Sequence, residues 1–244
     1  MKSDNSKIIL RWELQQSGIE NAMDHAIKAA DGRHPAIHRV LWDGRRDLRP
    51  HLDILGSAMT EEMRYDYPLN SNSVVLDAGG YRGDWAAEIN RRYGCGVIVL
   101  EPIKEFYHGI VARFEGNPKV KAFNFGLGAI SGTAEFGVQN DSTGRFAGST
   151  QRETVRIETV EDVFAQFGGS DIDLFKLNIE GAEHDVIERL LDTGLIAEVK
   201  NLQVQFHDCA TDSVKRYAVI QERLAETHRL TFYAGWVWQN WERT

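Results

Sequence analysis

The chain has 244 residues, 42% apolar and 26% charged, with a formal net charge of −8. That composition belongs to a folded globular protein and excludes a disordered or fibrous chain; at this length a core forms without staples, roughly 70–75% of the unfolded surface leaving water. The acidic balance argues against non-specific nucleic-acid binding through bulk charge, and two cysteines, Cys95 and Cys209, are too few for a disulfide framework or a zinc cluster.

The opening residues, MKSDNSKIILRWELQQ, carry charges around their short apolar stretch and do not read as a signal peptide. No run approaches the roughly 18 apolar residues that a membrane span needs. With the cysteine usage, this leads to the expectation of a cytoplasmic protein. Residues 6–30 place Ile8, Ile9, Trp12, Ile19, Met23, Ala26, Ile27 and Ala30 at helical intervals. Residues 36–65 also read as mostly helical, broken at Gly44 and Pro50. The turn-rich segment 67–72 then separates a helical N-terminal extension, residues 1–70, from a main domain, residues 71–244.

From there the pattern changes. Val74-Val75-Leu76 is a continuous apolar run, followed by glycines and a helix over 85–93. Val97-Ile98-Val99-Leu100 is the second run, with a helix over 103–114. Residues 120–125 predict a third strand and 173–179 a fourth, with a helix over 182–191 stopped by Gly194; residues 202–206 predict a fifth. Unbroken apolar runs between helices are strands covered on both faces, hence a mostly parallel, doubly wound α/β sheet. Residues 133–138 and 153–158 read as paired strands around a long polar loop, 139–152, a candidate lid. Residues 230–233 and 236–241 read as two closing strands, and their tight link at Ala234-Gly235 requires antiparallel pairing. The fold expected is therefore Rossmann-like, with an antiparallel final strand.

The first glycine turn carries the chemistry. Asp77-Ala78-Gly79-Gly80-Tyr81-Arg82-Gly83 lies between a strand and a helix, where glycines permit a tight turn and let a ligand approach the backbone. The nicotinamide fingerprint G-x-G-x-x-G does not fit, because Gly79 and Gly83 are four apart with Tyr81 between them. An acid two residues before the first glycine suits a ligand with an ammonium group and no pyrophosphate, such as S-adenosylmethionine. Glu101, eighteen residues after Gly83 and at the end of the second strand, can accept both hydroxyls of a ribose. Phe125-Gly126-Leu127, at the third strand exit, is a candidate wall for adenine.

Residues 173–183, Asp-Leu-Phe-Lys-Leu-Asn-Ile-Glu-Gly-Ala-Glu, resemble the D-L-L-K-[ID]-D-[VI]-E-G-A-E signature of the FkbM-type methyltransferases. Residues 75–83 resemble that family's first motif, and Val99-Leu100-Glu101-Pro102 its second. Gly126-Leu127-Gly128 with Ser131-Gly132 and Thr159-Val160-Glu161-Asp162 resemble two further segments, so the likeness covers about residues 65–210. It implies a class I S-adenosylmethionine-dependent methyltransferase acting on hydroxyls of sugars or small natural products. Asp77, Gly79, Gly80, Tyr81, Gly83, Glu101, Pro102, Gly126, Leu127 and Asn178 are the expected cofactor-binding residues. Two positions depart from the pattern: Tyr81 stands where asparagine is usual, and Asn178 where aspartate is usual. The second removes a negative charge near the methyl site and counts against a metal-assisted mechanism.

A hydroxyl acceptor needs a base for its proton. His207 is the first candidate, oriented by Asp208 or another carboxylate, and Glu180 is the second. A divalent cation held by Asn178, Glu180, His207 and Asp208 is the less favoured arrangement. The acceptor expected is a sugar, a glycan or another polyhydroxyl molecule. An anionic one would suit the basic cluster Arg33, His34, His38, Arg39, Arg45, Arg46, Arg49 and His51. Trp236 and Trp238, two apart, would share a strand face suited to stacking on sugar, to the core or to a homodimer contact. N-methylation of an amino sugar or small amine, or binding of S-adenosylmethionine without transfer, are the alternatives.

Overall fold

Apolar runs with no polar face become the central strands here. The computed structural model describes residues 59–137, 152–167 and 171–244. In chain order its elements are β1 (Val74–Ala78), α1 (Asp84–Tyr93), β2 (Gly96–Leu100), α2 (Lys104–Arg113), β3 (Val120–Phe123), β4 (Gly126–Leu127), β5 (Gly132–Gly137) and β6 (Arg152–Glu158). There follow α3 (Val160–Phe167), β7 (Leu174–Leu177), α4 (Glu183–Thr193), β8 (Asn201–Val204), α5 (Ser213–Leu224), β9 (His228–Ala234) and β10 (Trp238–Arg243). The described residues fall into two units, Thr60–Phe232 with Gln239–Thr244 in one and Tyr233–Trp238 in the other. The site lies in the first.

Seven strands form one sheet in the order β3-β2-β1-β7-β8-β10-β9. Strands β3, β2, β1, β7 and β8 run parallel, and β10 runs antiparallel to β8. β1 is the centre, with Val75, Leu76 and Ala78 buried between layers of helix. α1 buries Trp85, Ala86 and Ile89, and α4 buries Val186, Ile187 and Leu190. Each such aliphatic side chain contributes about 1.5–3 kcal/mol by leaving water. The chain proceeds from β1 to β2 on one side and later returns to β7 on the other. A crevice therefore opens at the carboxyl end of β1, the place where open α/β sheets bind ligands.

A smaller sheet, β4-β6-β5, lies beside the main one, with β4 parallel and β5 antiparallel to β6. Ile103, Phe136, Val155 and Ile157 form its buried core, with Phe106 and Ala134 packed against it. Thr159 opens α3 with a capping box: its hydroxyl accepts the Asp162 N–H at 3.3 Å, and the Asp162 carboxylate accepts the Thr159 N–H at 3.4 Å.

Several boundaries differ from expectation. The third strand leaves the main sheet after Phe123, because the Asn124 amide turns back to donate to the carbonyls of Glu101 and Pro102 at 3.0 and 2.9 Å. Trp236 does not share a strand face with Trp238. It lies in the Gly235-Trp236-Val237 link, closed by the Val237 N–H on the Ala234 carbonyl at 3.1 Å. α5 was not foreseen; it docks on α4 through Arg216, which is bidentate to Glu188 at 2.9 and 2.6 Å and reaches Asp185 at 2.6 Å. Of the helix expected over 36–65, residues Glu61–Arg64 form a single 3₁₀ turn. The helices expected before residue 59, the basic cluster 33–51 and the polar loop 139–151 lie outside the described residues.

Candidate active site

The turn after β1 is built from backbone. The N–H groups of Gly79 and Gly80 both donate to the Leu100 carbonyl, at 3.0 and 3.3 Å, which ties the turn to the end of β2. Gly79 has φ +81°, and a Cβ there would sit 1.8 Å from the Asn178 carbonyl oxygen, so no other residue fits. Tyr81 adopts φ +50° and directs its N–H to Glu101 Oε2 at 2.8 Å, while the Ile103 N–H reaches Glu101 Oε1 at 2.9 Å. Burial pushes the Glu101 carboxyl up to about 7 against the pull of those two bonds. Each oxygen keeps a further lone pair for a ligand hydroxyl.

Underneath lies a buried ion pair. Lys176 Nζ donates to Asp77 Oδ1 at 2.8 Å and to the Gly79 carbonyl at 2.7 Å. Asp77 is fully buried; burial pushes its carboxyl up, and the Lys176 ammonium opposes that. The two residues face each other in the β1–β7 register. Asp77 thus supports the turn from below.

The cleft above has a volume of about 160 Å³, an order of magnitude more than the roughly 10–15 Å³ one water needs, so it suits an organic ligand. Among its lining residues are Gly79, Tyr81, Glu101, Pro102, Gly126, Leu127 and Asn178, seven of the ten expected to hold cofactor, together with Glu180. Asp77, Gly80 and Gly83 are not in the lining: Gly80 packs on Val99, and Gly83 opens α1 in a left-handed conformation. Phe125 is a core residue with the Arg156 guanidinium over its ring, whereas Gly126 and Leu127 reach the cleft. Ile103, Phe106 and Phe136 add an apolar wall that sequence reasoning missed. Phe106 packs edge-on against Tyr81, with ring centroids 4.7 Å apart.

The opposite rim is built from side chains. β7 ends at Leu177, and the turn before α4 holds Glu180 at φ +56°. Glu183 is fully buried. Its Oε1 accepts the Ile179 N–H at 2.8 Å, and its Oε2 accepts the Gly181 N–H at 3.0 Å. His207, in the segment after β8, has Nδ1 2.9 Å from Glu183 Oε1 and Nε2 3.6 Å from Glu180 Oε2. Burial alone would lower the His207 pKa, but Glu183, by charge and hydrogen bond, and Glu180 push it up to about 9. Burial would raise the Glu183 carboxyl, but the His207 cation and the backbone N–H groups hold it below its ordinary range. The carboxylate partners of His207 are therefore Glu183 and Glu180; of the three expected catalytic residues only Glu180 lines the cleft, while His207 lies behind it and Asp208 is buried, both outside the lining. Among the described residues no group of three or more His, Cys, Asp or Glu is arranged to hold a metal ion.

A profile of the "Methyltransferase FkbM domain" matches residues 77–217, more than half of the chain. The chain belongs to the FkbM methyltransferase family. It is accordingly an S-adenosylmethionine-dependent methyltransferase, as the motifs at 75–83, 99–102 and 173–183 led us to expect. Solved structures similar to this FkbM-family chain include an rRNA methylase from Streptococcus thermophilus (13% identity, TM-score 0.43, covering 72% of this chain and 89% of that one). A fibrillarin pre-rRNA processing protein from Methanococcus jannaschii (9%, 0.44, 79% and 74%) and a dimethyladenosine transferase from Plasmodium falciparum (11%, 0.43, 76% and 62%) are also similar. Among curated proteins nothing matches.

The residues present fit the cosubstrate of this family. Asn178 Oδ1 is buried at the cleft without a hydrogen-bond partner, an acceptor suited to an ammonium group. Leaving such an atom unpaired costs about 1–3 kcal/mol, which a bound donor would recover. Among the described residues no helix is long and apolar enough to cross a membrane.

Proposed function

We propose that this FkbM-family enzyme methylates a hydroxyl of a sugar or other polyhydroxyl acceptor, free or within a glycan, with Glu180 as the base. Glu101 would hold the ribose hydroxyls, Asn178 the ammonium group, and Gly126, Leu127 and Ile103 the adenine. The observation that carries this reading is Glu180 itself, a carboxylate lining the cleft and held by its neighbours in a left-handed backbone conformation. An amine would need little help from a base, whereas a hydroxyl needs one throughout the transfer. His207 is a poor base at neutral pH, because its flanking carboxylates keep it protonated.

Held by Glu101 and Asn178, S-adenosylmethionine would supply the methyl group and keep the electrons of the broken carbon–sulfur bond on sulfur; the acceptor oxygen would form the new bond and give its proton to Glu180. The chain's own residues position the acceptor oxygen, hold Glu180 at the cleft and exclude water. Holding the reacting groups in place supplies much of the acceleration.

The test is transfer from methyl-labelled S-adenosylmethionine to a panel of methyl glycosides and amino sugars. Label appearing on oxygen, and lost in Glu180→Gln, is the expected result. Label confined to the amino sugars would replace hydroxyl methylation with amine methylation.

A further inference from the structure

Glu183 is the first residue of α4, where a carboxylate is favourable simply because helix N-termini attract negative charge. That explanation does not cover what the side chain does. Its two oxygens reach back to the N–H groups of Ile179 and Gly181, the residues on either side of Glu180, and the same carboxylate takes His207 Nδ1. Glu180 is thereby bracketed in a left-handed conformation that a non-glycine residue rarely adopts without such constraint. The other nitrogen of His207 faces the Glu180 carboxylate. That contact, at 3.6 Å, is an ion-pair distance, whereas Nδ1 is hydrogen-bonded to Glu183 at 2.9 Å; a ring flanked by two carboxylates is favoured as a cation. Glu183 and Glu180 are the two carboxylates whose charge reaches it.

We propose that Glu183 and His207 form a positioning pair on the acceptor side of the cleft. Glu183 fixes the backbone around Glu180 and orients His207, and the His207 imidazolium keeps the Glu180 carboxylate ionised and in place beside the acceptor hydroxyl. Neither residue takes the proton. The inference rests on Glu180 being the base, and it gives His207 an electrostatic task where the sequence pointed to proton abstraction.

The experiment is a histidine-labelled NMR titration of the full chain, wild type against Glu183→Gln, with His207→Asn to assign the resonance. Calorimetry with S-adenosylmethionine and the methyl glycoside transfer assay accompany it. The wild-type His207 midpoint is expected near 9 and should fall by at least about one unit in E183Q, toward the ordinary value of about 6.5. Turnover should fall roughly 10–100-fold, less than the 10²–10⁴ a base itself contributes, with cosubstrate affinity within about twofold. A wild-type midpoint near 6.5, a midpoint unmoved by E183Q, or undiminished transfer overturns the proposal. Should E183Q fail to fold, His207→Gln, which keeps a donor for Glu183 but no cation, must show the same loss of turnover; undiminished transfer there overturns the proposal too. A midpoint that responds to E183Q in an enzyme methylating only amines sustains the pair and removes the hydroxyl acceptor.

Discussion

The two rims of the cleft hold carboxylates by opposite means. At the cofactor rim Glu101 accepts two backbone N–H groups, and burial pushes it up to about 7. At the acceptor rim Glu183 is buried just as deeply and also accepts two backbone N–H groups, yet it stays below its ordinary range because His207 adds a positive charge at 2.9 Å. Burial with hydrogen bonds alone leaves a carboxylate poised to change charge near neutrality, and one added cation locks it ionised. The difference suits the two tasks. In the proposed assignment Glu101 would make ribose binding sensitive to pH near neutrality, whereas Glu183 would orient His207 with a charge that does not change there.

The largest effect that would sharpen this contrast is at the acceptor rim. Glu180→Gln should lower turnover by about 10²–10⁴ while leaving S-adenosylmethionine affinity nearly unchanged in calorimetry. Equal losses in both would erase the distinction between the rims. Next is the pair beneath the cofactor turn. Lys176→Met strands a fully buried Asp77 and should cost about 3–5 kcal/mol in denaturant unfolding. The double change Asp77→Leu with Lys176→Met should recover most of that stability, because neither charge is then left alone. Gly79→Ala comes third: its methyl would meet the Asn178 carbonyl, and strain of about 1–3 kcal/mol should appear as a lower melting temperature with weakened cosubstrate binding. The smallest effect concerns pH. Ribose binding favours ionised Glu101, so affinity should be full above pH 7 and fall as pH drops through about 7, by at most about tenfold per unit. Affinity flat between pH 8 and 5.5 would separate Glu101 from the ribose.

Legibility in the sequence followed the distance over which each feature is built. The cofactor rim is local: strand, turn, helix and strand over residues 74–101 carry Gly79, Tyr81 and Glu101 in one stretch, and periodicity with glycine placement locates them. The five parallel strands were readable because burial on both faces leaves no polar alternation to confuse with helix. Asp77 was legible as important but not in its surroundings, since its partner Lys176 lies 99 residues away and register is a tertiary fact. Glu183 closes the signature at 173–183, and nothing in its neighbours signals that it reaches His207, 24 residues on. α5 escaped notice because it buries few side chains, Ser213, Ile220 and Leu224, and docks partly through Arg216. Trp236 was read as strand because aromatic spacing resembles alternation, but Gly235 at φ +56° turns the chain there.

The most direct measurement is a crystal structure with S-adenosylhomocysteine bound. The account predicts ribose hydroxyls on the Glu101 carboxylate, the ammonium group on Asn178 Oδ1, and the sulfur turned toward Glu180. Adenosine seated away from Glu101, or a sulfur facing away from Glu180, would contradict it.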